Sequence, residues 1–100
     1  MRCIYNEVAV FEWDESNLRK IRAHRITTPE VEEALAREPI LIYEQEQDDE
    51  ARYVYYGETQ ANRLLAIVVT ERNNRIRVIT AYALDAGQKR DYLERRARGE

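Results

Sequence analysis

Two helical segments, four extended runs joined by short turns, and a closing helix predict an α+β domain with an antiparallel sheet. Three observations carry that prediction. Helical and extended patterns are segregated along the chain rather than alternating. The turns between the extended runs are too short for parallel crossovers. Only three glycines and two prolines interrupt 100 residues, with no repeat or linker, so residues 1–100 read as a single domain.

The elements follow in order. CIYNEVAVFE (3–12) partly alternates and reads as an edge strand or extended arm. Asp14 is placed to cap a first helix. Leu18 and Ile21 share its buried face, and it ends near His24 or Arg25. TTPEVEEALAREP then reads as a second helix, with Thr28 as cap, Pro29 at the first position and glutamates at its positive end. Val31, Ala34 and Leu35 give it an apolar face. ILIYEQE (40–46), RYVYYGE (52–58), RLLAIVVTE (63–71) and RIRVITAY (75–82) are the strands, and the third is the most buried. RNN (72–74) suits a tight hairpin because Asn tolerates positive φ. In the last strand, strict alternation puts Arg77, Ile79 and Ala81 on one face. It puts Val78, Thr80 and Tyr82 on the other. Asp85 caps the final helix, which Tyr92 docks. Phe11 and Trp13, two apart on extended chain, point the same way and seal the core under the first helix.

Composition excludes several function classes. The longest apolar run, LLAIVV at 64–69, falls short of the roughly 18–20 residues of a membrane helix. MRCIYNEV lacks a signal-peptide pattern, so the cytoplasm is the expected compartment. Cys3 is the only cysteine and His24 the only histidine, which make no metal-ligand set. EQEQDDE lacks the glycine and spacing of a calcium loop. There is no glycine-rich phosphate loop, and Ser16, the sole serine, sits at a helix start. Neither a metal nor a cofactor is expected.

Charge is unevenly distributed. Residues 1–50 hold six Lys/Arg against thirteen Asp/Glu, and residues 51–100 hold ten against six. A basic half attracts phosphates, and an acidic half attracts a basic partner. One histidine, many arginines and several tyrosines fit RNA cleavage without a metal. The reaction needs a group to take the 2′-OH proton, one to protonate the 5′ oxygen, and cations for the phosphorane charge. Structural roles compete for each residue. A helix-end histidine such as His24 is commonly a cap. Tyr53, Tyr55 and Tyr56 are commonly cross-strand partners. Arg72 and Arg75 flank a hairpin.

FEWDESNLRKIRAH, ITTPEVEEAL and RYVYYGETQANRLLAIVVTERNNRIRVITAYAL together resemble the BrnT family, the ribonuclease toxins of bacterial type II toxin–antitoxin pairs. The resemblance runs nearly end to end. It implies a RelE-like or barnase-like fold, endonucleolytic RNA cleavage that inhibits translation, and neutralisation by a BrnA-like ribbon-helix-helix antitoxin. Operator DNA would be touched only through that partner. On this resemblance His24 is the general acid or base. Arg77, with Arg72 or Arg63, holds the phosphate, with Lys20 nearby on the first helix. Tyr82 contacts a base or relays a proton, and Glu71 is the alternative base. These groups are expected to meet where the first helix, last two strands and final helix converge, with His24 and Arg77 within reach of one phosphate. Three positions depart from the family pattern: Tyr82 where arginine is usual, Gln88 where glutamate is usual, and Arg25 in place of a common glycine. The departures leave a rival reading, a non-catalytic module on the same fold that binds a protein partner or RNA. A third is a domain whose strands build a homodimer.

Overall fold

The computed structural model describes residues 10–100. The elements are β1 (Phe11–Glu12), α1 (Glu15–Ala23), α2 (Thr28–Ala36), β2 (Ile40–Gln47), β3 (Glu50–Glu58), β4 (Leu64–Arg72), β5 (Arg75–Ala83) and α3 (Ala86–Ala97). The class is α+β, as expected, but the sheet is five-stranded and mixed, in the order β1-β5-β4-β3-β2. β2 to β5 form the expected antiparallel meander. β1 adds a fifth strand, pairing parallel to β5 at Ile76 and Arg77. Residues 3–9 of the expected N-terminal strand lie outside the described residues.

Local chemistry explains most boundaries. Asp14 Oδ1 accepts the Asn17 N–H at 2.8 Å and starts α1. α2 is capped by Thr27, one residue before the expected Thr28, because Thr27 and Glu30 form a reciprocal capping box. That spacing, Thr-x-x-Glu, was legible in the sequence. Asp85 and Gln88 form the same box at α3. Asn73 and Asn74 turn the β4–β5 hairpin with φ of 54° and 63°, and Asp48 and Asp49 turn β2–β3 with 55° and 62°. Positive φ at both central residues matches the right-handed twist of the flanking strands. Among the described residues no helix is long and apolar enough to cross a membrane.

The sheet separates two apolar layers. Under α1 and α2, Ile21, Ile26, Val31, Ala34 and Leu35 pack on Tyr55, Leu65, Ile67, Val69, Ile76, Val78 and Ala81. Phe11 and Trp13 border this core, as expected. Trp13 Nε1 also donates to Glu32 Oε2 at 3.0 Å, tying the chain before α1 to α2. On the other face, Tyr92 of α3 packs with Ile40, Tyr56, Ala66 and Leu84. Tyr92 also donates to Glu58 at 3.3 Å and accepts from Arg96 Nε at 3.1 Å.

The expected face assignment of β5 is corrected by a bulge. Val68 pairs with Thr80 and Val69 with Val78, so Ile79 is an extra residue. Alternation slips by one there. Ala81 therefore joins Ile76 and Val78 in the first core, instead of sharing a face with Arg77. Tyr82 packs in the second layer.

The turn from α1 to α2 carries a strained residue. Ile26 N–H bonds the Ile21 carbonyl at 3.0 Å and Arg25 N–H bonds that of Arg22 at 2.9 Å. Ile21 and Ile26 are both 1% exposed. This is a Schellman end, and Arg25 occupies its left-handed position at φ 60°. A glycine at this position would remove that strain. Arg25→Gly should stabilise the fold by roughly 0.5–1 kcal/mol, after allowing for the greater freedom of glycine when unfolded. A urea titration comparing midpoints checks this.

Candidate functional site

The expected site residues fall at two ends of the sheet. Both hairpin turns, β1 and the start of α1 lie at one end. There Arg77 Nη1 meets Asp14 Oδ2 at 2.7 Å and Glu12 Oε1 at 3.5 Å. Arg77 thus clips β1 and the α1 cap to β5. Arg72 Nη2 pairs with Glu50 Oε2 at 2.8 Å. Glu71 and Arg72 line a hollow of about 380 Å³ with Asp48, Asp49, Glu50 and Tyr53. Carboxylates dominate this hollow, which opposes phosphate entry.

The other end holds His24, Tyr82, Arg63 and Lys20. His24 is the exposed C-cap of α1. Its ring lies 6.1 Å from that of Tyr82, tilted by 55°. Arg63 Nη1 donates to the Arg25 carbonyl at 2.9 Å, next to His24 in the chain, and to Glu30 Oε2 at 3.1 Å. Lys20 is exposed one turn before His24. An imidazole, a phenol and two cations thus gather where α1 ends beside the last strand. That set can move a proton and hold an anion.

His24 and Arg77 are not brought together. Arg77 is bound to the N-cap of α1, whereas His24 is its C-cap. Nine helical residues separate the two caps, about 14 Å of axis. Arg77 and Tyr82 are likewise five residues apart along β5, roughly 16 Å. Both spans exceed the reach of a single phosphate.

Three residues gain roles that the sequence reading did not give them. Glu30 closes the α2 capping box and pairs with Arg63. Tyr56 stands directly across Ala66 from Tyr82 in the strand register, on the same face. Burial pushes the Tyr56 phenol above its ordinary value, against a hydrogen bond with Gln88. Gln88 completes the α3 cap, a task that a glutamate would perform equally well. Tyr56 and Tyr82 could not be paired from sequence because strand register is not printed in composition.

The ion pairs make stability depend on acid. The Asn17 N–H, then Arg77, hold the Asp14 carboxyl below its usual value despite some burial. Arg72, then Arg52, do the same for Glu50. At Glu30, burial pushes upward but is outweighed by the Thr27 N–H and Arg63. The folded state therefore holds fewer protons than the unfolded one around pH 4. Stability from these groups is complete above their unfolded values of about 4 and falls as pH drops through their folded values. Thermal melts should hold their midpoint from pH 6 to about 5 and fall from there down to pH 2, with the fall attenuated in Glu50→Gln.

No curated protein and no solved structure matches the chain. Residues 13–87 match the family described as ribonuclease toxin, BrnT, of type II toxin-antitoxin system. That span begins at Trp13, takes in α1, α2, β2 to β5 and both ends of the sheet, and stops in the first turn of α3. A match over three quarters of the chain settles its kinship: the protein belongs to the BrnT family of ribonuclease toxins, whose toxin–antitoxin setting implies an antitoxin protein as partner.

Proposed function

We propose that the protein is a metal-independent endoribonuclease that inhibits translation in the cytoplasm and is neutralised by a BrnA-like ribbon-helix-helix antitoxin, with operator DNA reached only through that antitoxin. The observation that carries the reading is the His24–Tyr82 pair at 6.1 Å, between the exposed end of α1 and the half-buried end of β5, beside Arg63 and Lys20. The His24 imidazole takes the 2′-OH proton of RNA. The 2′ oxygen bonds to phosphorus, a 2′,3′-cyclic phosphate forms, and the bond to the 5′ oxygen breaks. The leaving oxygen takes a proton from the Tyr82 hydroxyl or from a protonated imidazole. Arg63 and Lys20 offset the developing negative charge, and Arg77 serves as a positioning residue that fixes α1 against β5. The acidic surroundings of Glu71 and Arg72 count against the hairpin end as the place of chemistry.

A second reading has its own support. Arg63, Arg72 and Arg77 are each already paired with a carboxylate, which fits a module that binds a protein or RNA without cutting it. Incubation with a structured RNA in EDTA decides. Fragments ending in cyclic phosphate are expected. Intact RNA over a wide protein range, with no growth arrest on expression, would overturn the nuclease. A sedimentation measurement tests the homodimer reading, which a monomer would overturn.

A further inference from the structure

We propose that the outer edge of β2, over Tyr43–Gln47, receives an added strand from a partner protein, an extended segment with Lys or Arg at alternate positions. The sheet order leaves β2 at an edge, and among the described residues it pairs with β3 alone. A bulge between Leu41 and Tyr43 disturbs its start. Beyond it, Tyr43 to Gln47 run in unbroken register opposite Val54 to Glu50. Five consecutive residues thus present one side of a regular strand, where main-chain groups await partners.

Charge selects the occupant. No Lys or Arg occurs between Arg37 and Arg52. Glu44, Glu46, Asp48 and Asp49 are exposed, and no described residue forms an ion pair with them. A second copy pairing antiparallel about Gln45 would set Glu44 against Glu46 twice. Like charges directly across a strand pair are unfavourable, so the edge resists its own kind. A strand with alternating cations meets the opposite situation, and Tyr43, at 51% exposure, offers a ring to a cationic side chain. The family's protein partner gives such a strand a source. The inference does not depend on the cleavage reading, because it concerns an edge three strands away from β5.

The test uses the whole protein and a labelled seven-residue peptide alternating Lys with Val. Anisotropy should show saturable binding. Hydrogen exchange should slow at the amides of β2. Glu44→Lys with Glu46→Lys should weaken binding about tenfold or more, while circular dichroism stays unchanged because both side chains are exposed. A peptide alternating Glu with Val should not bind. The proposal is overturned by no binding of the Lys peptide, by equal binding of a version carrying prolines at alternate positions, or by binding that leaves the β2 amides unprotected. Those last two results would mean charge attraction without strand addition.

Discussion

His24→Ala is expected to slow RNA cleavage by about 10²–10⁴-fold with the fold intact, equivalent to roughly 3–5 kcal/mol of barrier. The ring is exposed at a helix end, so its loss leaves no cavity. The cap hydrogen bonds come from the His24 backbone N–H to the Arg22 and Ile21 carbonyls, and alanine keeps them. Single-turnover cleavage of a short RNA, alongside a thermal melt, separates the two effects. Arg77→Ala should behave in the opposite way. Glu12 and Asp14 would lose their shared cation. The melting midpoint should fall, while cleavage per folded molecule stays within about threefold, as for a residue that acts through position. A large loss in Arg77→Ala at unchanged stability would return Arg77 to the site and remove the assignment made here.

Gly57→Val should destabilise the fold by about 3 kcal/mol or more. At this point β3 passes beneath α2. A Cβ on Gly57 would stand 2.9 Å from the Ala34 carbonyl oxygen and 3.1 Å from the Ala34 Cβ. The first of these atoms is helix backbone and cannot swing aside, so helix and sheet must separate. Ala34 is fully buried in the core that joins α2 to the sheet. Overpacking by one methyl in such a place costs typically about 1–3 kcal/mol, and the branched side chain adds further atoms to the same gap. Denaturant unfolding checks this directly. An unchanged midpoint would mean that α2 is free to slide on the sheet.

Features governed by neighbours in the chain were legible. Asp14, Asp85 and the Asn73–Asn74 turn act over a few residues, and each does what the residue type dictates. The misplaced Thr27 cap was a competition between two adjacent threonines, decided by which of them has a glutamate three positions on. The parallel β1 escaped because it spans two residues and joins positions 65 apart. The Ile79 bulge escaped because alternation assumes that no residue is skipped. Gathering His24 and Arg77 into one pocket failed for a plainer reason. The sequence shows Asp14 as a cap, but only the fold shows its second oxygen holding the arginine at the end of the helix away from His24.

The bulge also governs how this protein can change over generations. Removing Ile79 would restore even alternation and keep Tyr82 on the face away from α1 and α2, because Ile79 is the residue that the facing strand leaves without a counterpart. Descendants can therefore shed that one residue, or swap side chains around it, and keep every neighbour on its present face. A residue added elsewhere in the paired stretch and taken into the ladder would place the phenol on the wrong side of the molecule in a single step.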